Sequence, residues 1–155
     1  MRASYSLLRL HALLTSRSRH RLHSSLLSDG ENKSVFGKCN NAHGHGHNYR
    51  VTVTLRGPID RATGMLINLT ELAEVLKPVL ASVDHKHLDL DVAYFRENRI
   101  VSTAENICVF FWRAIKRQSA SVGALLHCVK IDETDKNSCS FYGDGDDVID
   151  ETCVF

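Results

Sequence analysis

His43-Gly44-His45-Gly46-His47-Asn48-Tyr49-Arg50-Val51-Thr52-Val53-Thr54-Leu55-Arg56 alternates without a break. One face carries His43, His45, His47, Tyr49, Val51, Val53 and Leu55; the other carries the glycines, Asn48, the two arginines and the threonines. A two-residue period predicts a β-strand with one side buried and one side polar, because successive side chains point to opposite faces. Working outward, Gly57-Pro58 and Thr63-Gly64 are turn signals. Met65-Leu66-Ile67 reads as a short returning strand, so residues 51–67 are expected to form a hairpin.

Beyond the hairpin the period changes to helical. Asn68 is a good N-cap with Glu71 three residues on, and Leu69, Leu72, Leu76, Val79, Leu80 and Val83 form one apolar stripe. Pro78 inside that stripe is expected to kink or split the helix. The polar cluster Asp84-His85-Lys86-His87 follows. A second helix is expected after Ser102, paired with Glu105 as a capping box, with Ile107, Phe110, Phe111, Ala114 and Ile115 buried. Leu125, His127, Val129, Ile131 and Glu133 then share one strand face, Thr134-Asp135-Lys136-Asn137 turns, and residues 138–142 return. The order is β-β-α-α-β-β, with room for another strand before the loop at 23–38. Strands in hairpins predict an α+β fold, an antiparallel four-stranded sheet with two helices packed on one face.

The chain has 155 residues, 43% hydrophobic and 24% charged, which fits one globular domain. A formal net charge of +1 gives no global drive toward nucleic acid or membrane. The charge is uneven. Residues 1–28 hold Arg2, Arg9, Arg17, Arg19 and Arg21 and no acid before the end of that stretch, whereas 144–151 hold Asp144, Asp146, Asp147, Asp150 and Glu151 and no base. We expect an N-terminal extension at 1–19, flexible or targeting, a domain at 20–144, and an acidic tail at 145–155. Five cysteines without a CxxC pair, and no secretory signal, point to reduced thiols in the cytoplasm. The arginine- and serine-rich start offers a mitochondrial alternative. The apolar stretch at 7–14 is too short to span a bilayer.

Histidines at alternate strand positions stand about 6.5–7 Å apart on one face and can reach one cation. Zinc suits imidazole nitrogen, and a catalytic zinc takes three protein ligands and keeps one position open. His45 and His47 need a third partner, and spacing leaves His20, His23 and His43 as candidates. Cys39 reads as a zinc ligand, a catalytic base or nucleophile, or a core thiol. Asp84-His85 is a candidate acid–base pair. Glu133 at the end of an apolar face needs a partner, and a ligand edge with two N–H donors would provide one.

Six segments taken together resemble the 6-pyruvoyltetrahydropterin synthase family. They are Phe36-Gly37-Lys38-Cys39-Asn40-Asn41, His43 to Tyr49, Asp60 with Thr63-Gly64-Met65, Asp84-His85-Lys86 with Leu88-Asp89, Ser102-Thr103 with Glu105-Asn106, and Glu133-Thr134-Asp135. The resemblance implies the tunnelling fold, with trimers closing a barrel and two trimers stacking into a homohexamer. It implies a zinc-dependent lyase of tetrahydrobiopterin biosynthesis, with one Zn²⁺ per subunit. The substrate would be 7,8-dihydroneopterin triphosphate, converted to 6-pyruvoyltetrahydropterin with loss of triphosphate. By position it makes His20, His45 and His47 the metal ligands and Cys39 the proton-abstracting base. Asp84 and His85 become a proton relay, and Glu133 the pterin anchor with Thr103 nearby. The groups would meet across subunit contacts.

The chain departs from the family just before His20, where Thr15-Ser16-Arg17-Ser18-Arg19 stands in place of an aromatic and small residues. Arg17, Arg19 and Arg21 would share one strand face, which destabilises the strand if that face is packed against apolar groups. The competing readings are a 6-carboxytetrahydropterin synthase-like enzyme and a non-enzymatic subunit of the same fold.

Overall fold

The computed structural model describes residues 8–143 and 154–155. The start of the chain before Leu8 and most of the acidic segment lie outside the described residues. Strand β2 (His45–Gly57) runs through the middle of the molecule. Strand β1 (Leu8–His20) pairs with it antiparallel along its whole length, from Leu8 opposite Gly57 to His20 opposite His45. Strands β3 (Leu126–Asp132) and β4 (Ser138–Phe141) complete a four-stranded antiparallel sheet in the order β1-β2-β3-β4. The helices are α1 (Asp29–Phe36), α2 (Leu69–Ala81), α3 (Leu88–Asp91), α4 (Ala93–Glu97), α5 (Ala104–Gln118) and α6 (Ala120–Leu125).

The alternation in β2 decides the core. Tyr49, Val51, Val53 and Leu55 are at most 2% exposed and meet Val129 and Ile131 of β3. Leu72, Leu76 and Val79 of α2 and Ile107, Phe111 and Ile115 of α5 cover that face. Each fully buried aliphatic or aromatic side chain contributes about 1.5–3 kcal/mol of burial free energy, so this face is what fixes the register of β2.

Several expectations need correction. Residues 8–19 are strand β1, not an extension ahead of the domain. Its outward positions Arg17 and Arg19 are exposed, while Ser16, Ser18 and His20 point inward and are buried. The arginines therefore face solvent, and the inward hydroxyls are satisfied: Ser18 Oγ donates to the Val83 carbonyl at 2.8 Å and lies 3.0 Å from Ser16 Oγ. The hairpin expected over 51–67 does not form, because β2 pairs with β1 and β3 instead. Residues 65–67 belong to a loop closed by Asp60 N–H to the Met65 carbonyl at 2.8 Å, and Leu66 and Ile67 pack against the core edge.

Helix α2 runs through Pro78 as one helix. Its N-cap Asn68 accepts from Thr70 N–H. The N-cap of α5 is Thr103, one residue after the expected Ser102. Leu125 ends α6, and a register shift between Thr54 and Leu55 makes Leu126, opposite Leu55, the inward residue. His127 turns away from the core toward Tyr142, with ring centroids 5.7 Å apart. The last two residues return to the domain: Asn98 Nδ2 donates to the Val154 carbonyl at 3.0 Å, and the Phe155 ring lies 5.0 Å from Tyr94 and under the Arg117 guanidinium.

Candidate metal centre and the residues around it

Directly opposed residues of an antiparallel pair point to the same face, with their Cβ atoms about 4.5–5.5 Å apart. His20 is opposite His45, and Ser18 is opposite His47, so the β1–β2 ladder brings three imidazoles together at its open end. Ring centroids are 4.5 Å apart for His20–His45, 5.2 Å for His20–His47 and 4.8 Å for His45–His47. One nitrogen from each ring falls within 4.8 Å of the others. His43 and His23 do not join them. Gly44, at φ +65°, turns the chain before β2 begins and leaves His43 exposed, while His23 Nδ1 faces Asn40 Oδ1 at 3.3 Å.

Each ring has defined surroundings. His20 is fully buried, and its Nδ1 lies 2.8 Å from the Ser102 carbonyl. A carbonyl only accepts, so Nδ1 carries the proton and the Nε2 lone pair points at the cluster, 3.0 Å from His45 Nε2. Burial holds His20 below the ordinary histidine range; the Ser102 carbonyl opposes this, and His45 and His47 add to it. Burial and then His47 lower His45 in the same way. Both rings are thus neutral near pH 7, which is the ligating form.

His45 Nδ1 is buried without a hydrogen-bond partner. His20 Nε2 and His45 Nε2 converge at 3.0 Å, so a cation at this point would engage both rings. The donor set, three imidazoles with one tautomer fixed from behind, fits Zn²⁺.

Glu133 Oε1 lies 3.8 Å from both His20 Nε2 and His47 Nε2. That is too long for a hydrogen bond but aims a carboxylate at the same point. Tyr49 continues the His45–His47 face, and its hydroxyl is 3.3 Å from His20 Nδ1. Burial, then the charges of Glu133, Asp89 and Cys39, push its pKa up, so it stays protonated. Cys39 sits half-buried on a single 3₁₀ turn, Gly37–Asn40. The turn is tied to the residues just after His20: Leu22 N–H donates to the Cys39 carbonyl at 2.9 Å, and Arg21 Nε donates to Asn40 Oδ1 at 2.9 Å.

Asp84 and His85 form the pair expected of them, with Asp84 Oδ2 2.8 Å from His85 Nδ1. Arg17 N–H donates to Asp84 Oδ1 at 2.8 Å, and this bond more than any other holds the carboxyl below its ordinary range. His85 has φ +58° and a largely exposed ring. Among the described residues, neither Asp84 nor His85 hydrogen-bonds to the three histidines or to Cys39. Thr103 uses its hydroxyl as the cap of α5, accepting from Asn106 N–H at 3.4 Å, one residue from the carbonyl that orients His20. Sequence reasoning missed the Ser102 carbonyl, which no side-chain pattern reveals. Tyr49 was signalled by the period of β2.

An antiparallel sheet with helices on one face and a three-histidine cluster at the end of its longest pair defines a tunnelling-fold protein able to hold a metal ion. The family model for 6-pyruvoyl tetrahydropterin synthase matches residues 15–144. The 6-pyruvoyl tetrahydrobiopterin synthase of Drosophila melanogaster is 55% identical over 125 residues, covering 80% of this chain and 73% of that protein. That of Homo sapiens is 48% identical over 126 residues, covering 81% and 84%. The solved structure of Caenorhabditis elegans 6-pyruvoyl tetrahydropterin synthase superposes with a TM-score of 0.86 at 41% identity, over 90% of this chain and 98% of that one. The chain belongs to the 6-pyruvoyl tetrahydropterin synthase family.

Proposed function

We propose that this chain is a zinc-dependent 6-pyruvoyltetrahydropterin synthase, a lyase that converts 7,8-dihydroneopterin triphosphate to 6-pyruvoyltetrahydropterin and triphosphate. The observation that carries the proposal is the convergence of His20, His45 and His47, with His20 turned by the Ser102 carbonyl, in a chain of this family. These three would hold Zn²⁺, which as a Lewis acid stabilises negative charge on the side-chain oxygens of a bound substrate.

The remaining roles fall to this chain's own groups. Cys39 Sγ serves as the base that takes a proton from a side-chain carbon made acidic by its polarised neighbour. The Asp84–His85 pair holds and returns protons during the rearrangement, with Asp84 fixing the tautomer of His85. Glu133 accepts the paired N–H donors of the pterin ring, with Thr103 beside it. The rearrangement is an internal redox exchange between ring and side chain, so no external oxidant or reductant enters. We read the site as completed across subunits, in a homohexamer of two trimers, as the family resemblance implies.

No helix among the described residues is long and apolar enough to cross a membrane. Cytoplasmic location remains our reading of the composition, and mitochondrial targeting the alternative.

The test is to incubate zinc-loaded protein with 7,8-dihydroneopterin triphosphate and follow both triphosphate release and product mass. Equal amounts of triphosphate and 6-pyruvoyltetrahydropterin are expected, with turnover abolished and zinc retained in Cys39→Ala. A 6-carboxy product, or no turnover by zinc-loaded wild type, would contradict the proposal.

A further inference from the structure

Beside β1 lies an open cleft of about 550 Å³ that reaches His47 of the histidine cluster and whose lining includes Arg17, Arg19, His85, Lys86 and Asp91. Its lining is net cationic, with Arg17, Arg19 and Lys86 against the single carboxylate of Asp91. Among the described residues, the side chains of Arg17, Arg19 and Lys86 have no carboxylate partner, whereas Arg96 pairs with Glu97 and Lys130 with Asp132. Arg19 Nη2 donates to a neutral group, the His43 carbonyl, at 2.6 Å. The nearby carboxylates are already engaged: Asp84 by Arg17 N–H and His85, and Asp91 by His87 N–H at 2.8 Å.

Charged residues on a sheet edge often serve to block pairing with another strand. That need is absent here, because the edge of β1 is already covered. His85 N–H donates to the Arg17 carbonyl at 2.6 Å, and Arg19 N–H donates to the Lys86 carbonyl at 2.9 Å. The same bonds hold the backbones of Arg17, Arg19, His85 and Lys86 in one frame. Guanidinium and ammonium groups on a fixed frame, lining one cleft and lacking counter-ions, make a polyanion site.

We propose that this cleft binds the triphosphate group of the substrate, with Arg17, Arg19 and Lys86 as its charge partners. The inference rests on the proposed function and adds the residues that grip the leaving group. His85 lines the same cleft, and a relay that exchanges protons with the substrate's three-carbon side chain lies close to the triphosphate carried at the end of that chain. Cations that share the cleft with His85 are therefore the ones within reach. Holding the leaving group on a rigid cationic frame also stabilises the charge that builds on it as the carbon–oxygen bond breaks.

The test is calorimetric titration of the zinc-loaded oligomer with inorganic triphosphate, in wild type, Arg17→Ser/Arg19→Ser and Lys86→Ala. Wild type is expected to bind, with affinity falling roughly tenfold or more for each lost charge-assisted contact and falling as salt rises. Arg17→Lys/Arg19→Lys should recover part of the loss. In the serine and alanine variants KM for the substrate should rise by a similar factor, while zinc content and affinity for phosphate-free 7,8-dihydroneopterin stay unchanged. Absence of triphosphate binding in wild type, or equal binding in the variants, would overturn the site. Charge-dependent triphosphate binding without any turnover would overturn the proposed function and leave the anion site supported.

Discussion

Asn32 offers a stability test whose size can be worked out from contacts. It is fully buried, the only buried residue of helix α1. Its Nδ2 donates to the carbonyls of Ser24, Leu27 and Ser28 at 2.9, 3.0 and 3.1 Å, and its Oδ1 accepts from Ser24 N–H at 2.7 Å. This one side chain therefore organises the loop that leads from His20 toward the Cys39 turn. A net hydrogen bond is worth about 1 kcal/mol; the two Nδ2 hydrogens, shared among three carbonyls, and the accepting Oδ1 give an upper figure of about 3 kcal/mol. Two effects reduce it. The Ser28 carbonyl keeps its bond from Asn32 N–H at 2.9 Å, and Ser24 and Leu27 are half-buried, where water can replace part of the loss.

Asn32→Ala should then cost about 2 kcal/mol, seen as a lowered urea midpoint at unchanged slope and a Tm drop of about 5–10 °C. Asn32→Asp has the same shape but sets a carboxylate oxygen against three carbonyls, and should be no more stable than the alanine variant. Zinc content should be unchanged in both, because the three histidines stand on β1 and β2. A loss below about 0.5 kcal/mol, or an aspartate variant as stable as wild type, would refute this assignment of the stability to the amide's donors.

Other outcomes follow from the same geometry. His20 and His45 are held below their ordinary pKa, so the unfolded chain binds more protons than the folded one just below that value. Metal-free protein should therefore lose thermal stability as pH falls below about 6.5 toward the lowered folded values, and a flat Tm between pH 7.5 and 5.5 would contradict it. Gly44→Ala places a Cβ 2.7 Å from the His20 carbonyl at φ +65°, and should weaken zinc retention during competition with a chelator, at a strain of about 1–3 kcal/mol. Phe155→Ala removes a half-buried ring from Tyr94, Phe110 and Arg117 and should cost about 1–2 kcal/mol with zinc content unchanged, measured by denaturant unfolding.

The elements that could be read from sequence are those whose burial follows a simple period. β2 and the two long helices were legible because Tyr49 to Leu55, Leu72 to Val79 and Ile107 to Ile115 repeat at the spacing of their own backbone. β1 was legible only in part: the sequence left room for a strand there, but Thr15-Ser16-Arg17-Ser18-Arg19 has no apolar alternation to mark it. Its place depends on partners far away in the chain, the full ladder with β2 and the Val83 carbonyl that receives Ser18. Helix α1 was missed for a related reason, since Asn32 is its only buried residue and carries hydrogen bonds in place of apolar contacts.

In the site, His45 and His47 could be read from β2 itself. Choosing His20 over His23 and His43 rested on the family resemblance, and the cross-strand register of His20 with His45 gives the physical reason. The Ser102 carbonyl, a backbone group distant in sequence, leaves no trace in side-chain patterns.

The most direct test of the zinc-enzyme reading is metal stoichiometry with turnover on the same samples, for wild type and His20→Ala. We expect one zinc per chain and conversion of 7,8-dihydroneopterin triphosphate in wild type, with both lost together in His20→Ala while the far-ultraviolet spectrum keeps its native form. Zinc and turnover retained without His20, or wild-type protein that neither takes up zinc nor turns over substrate, would contradict it.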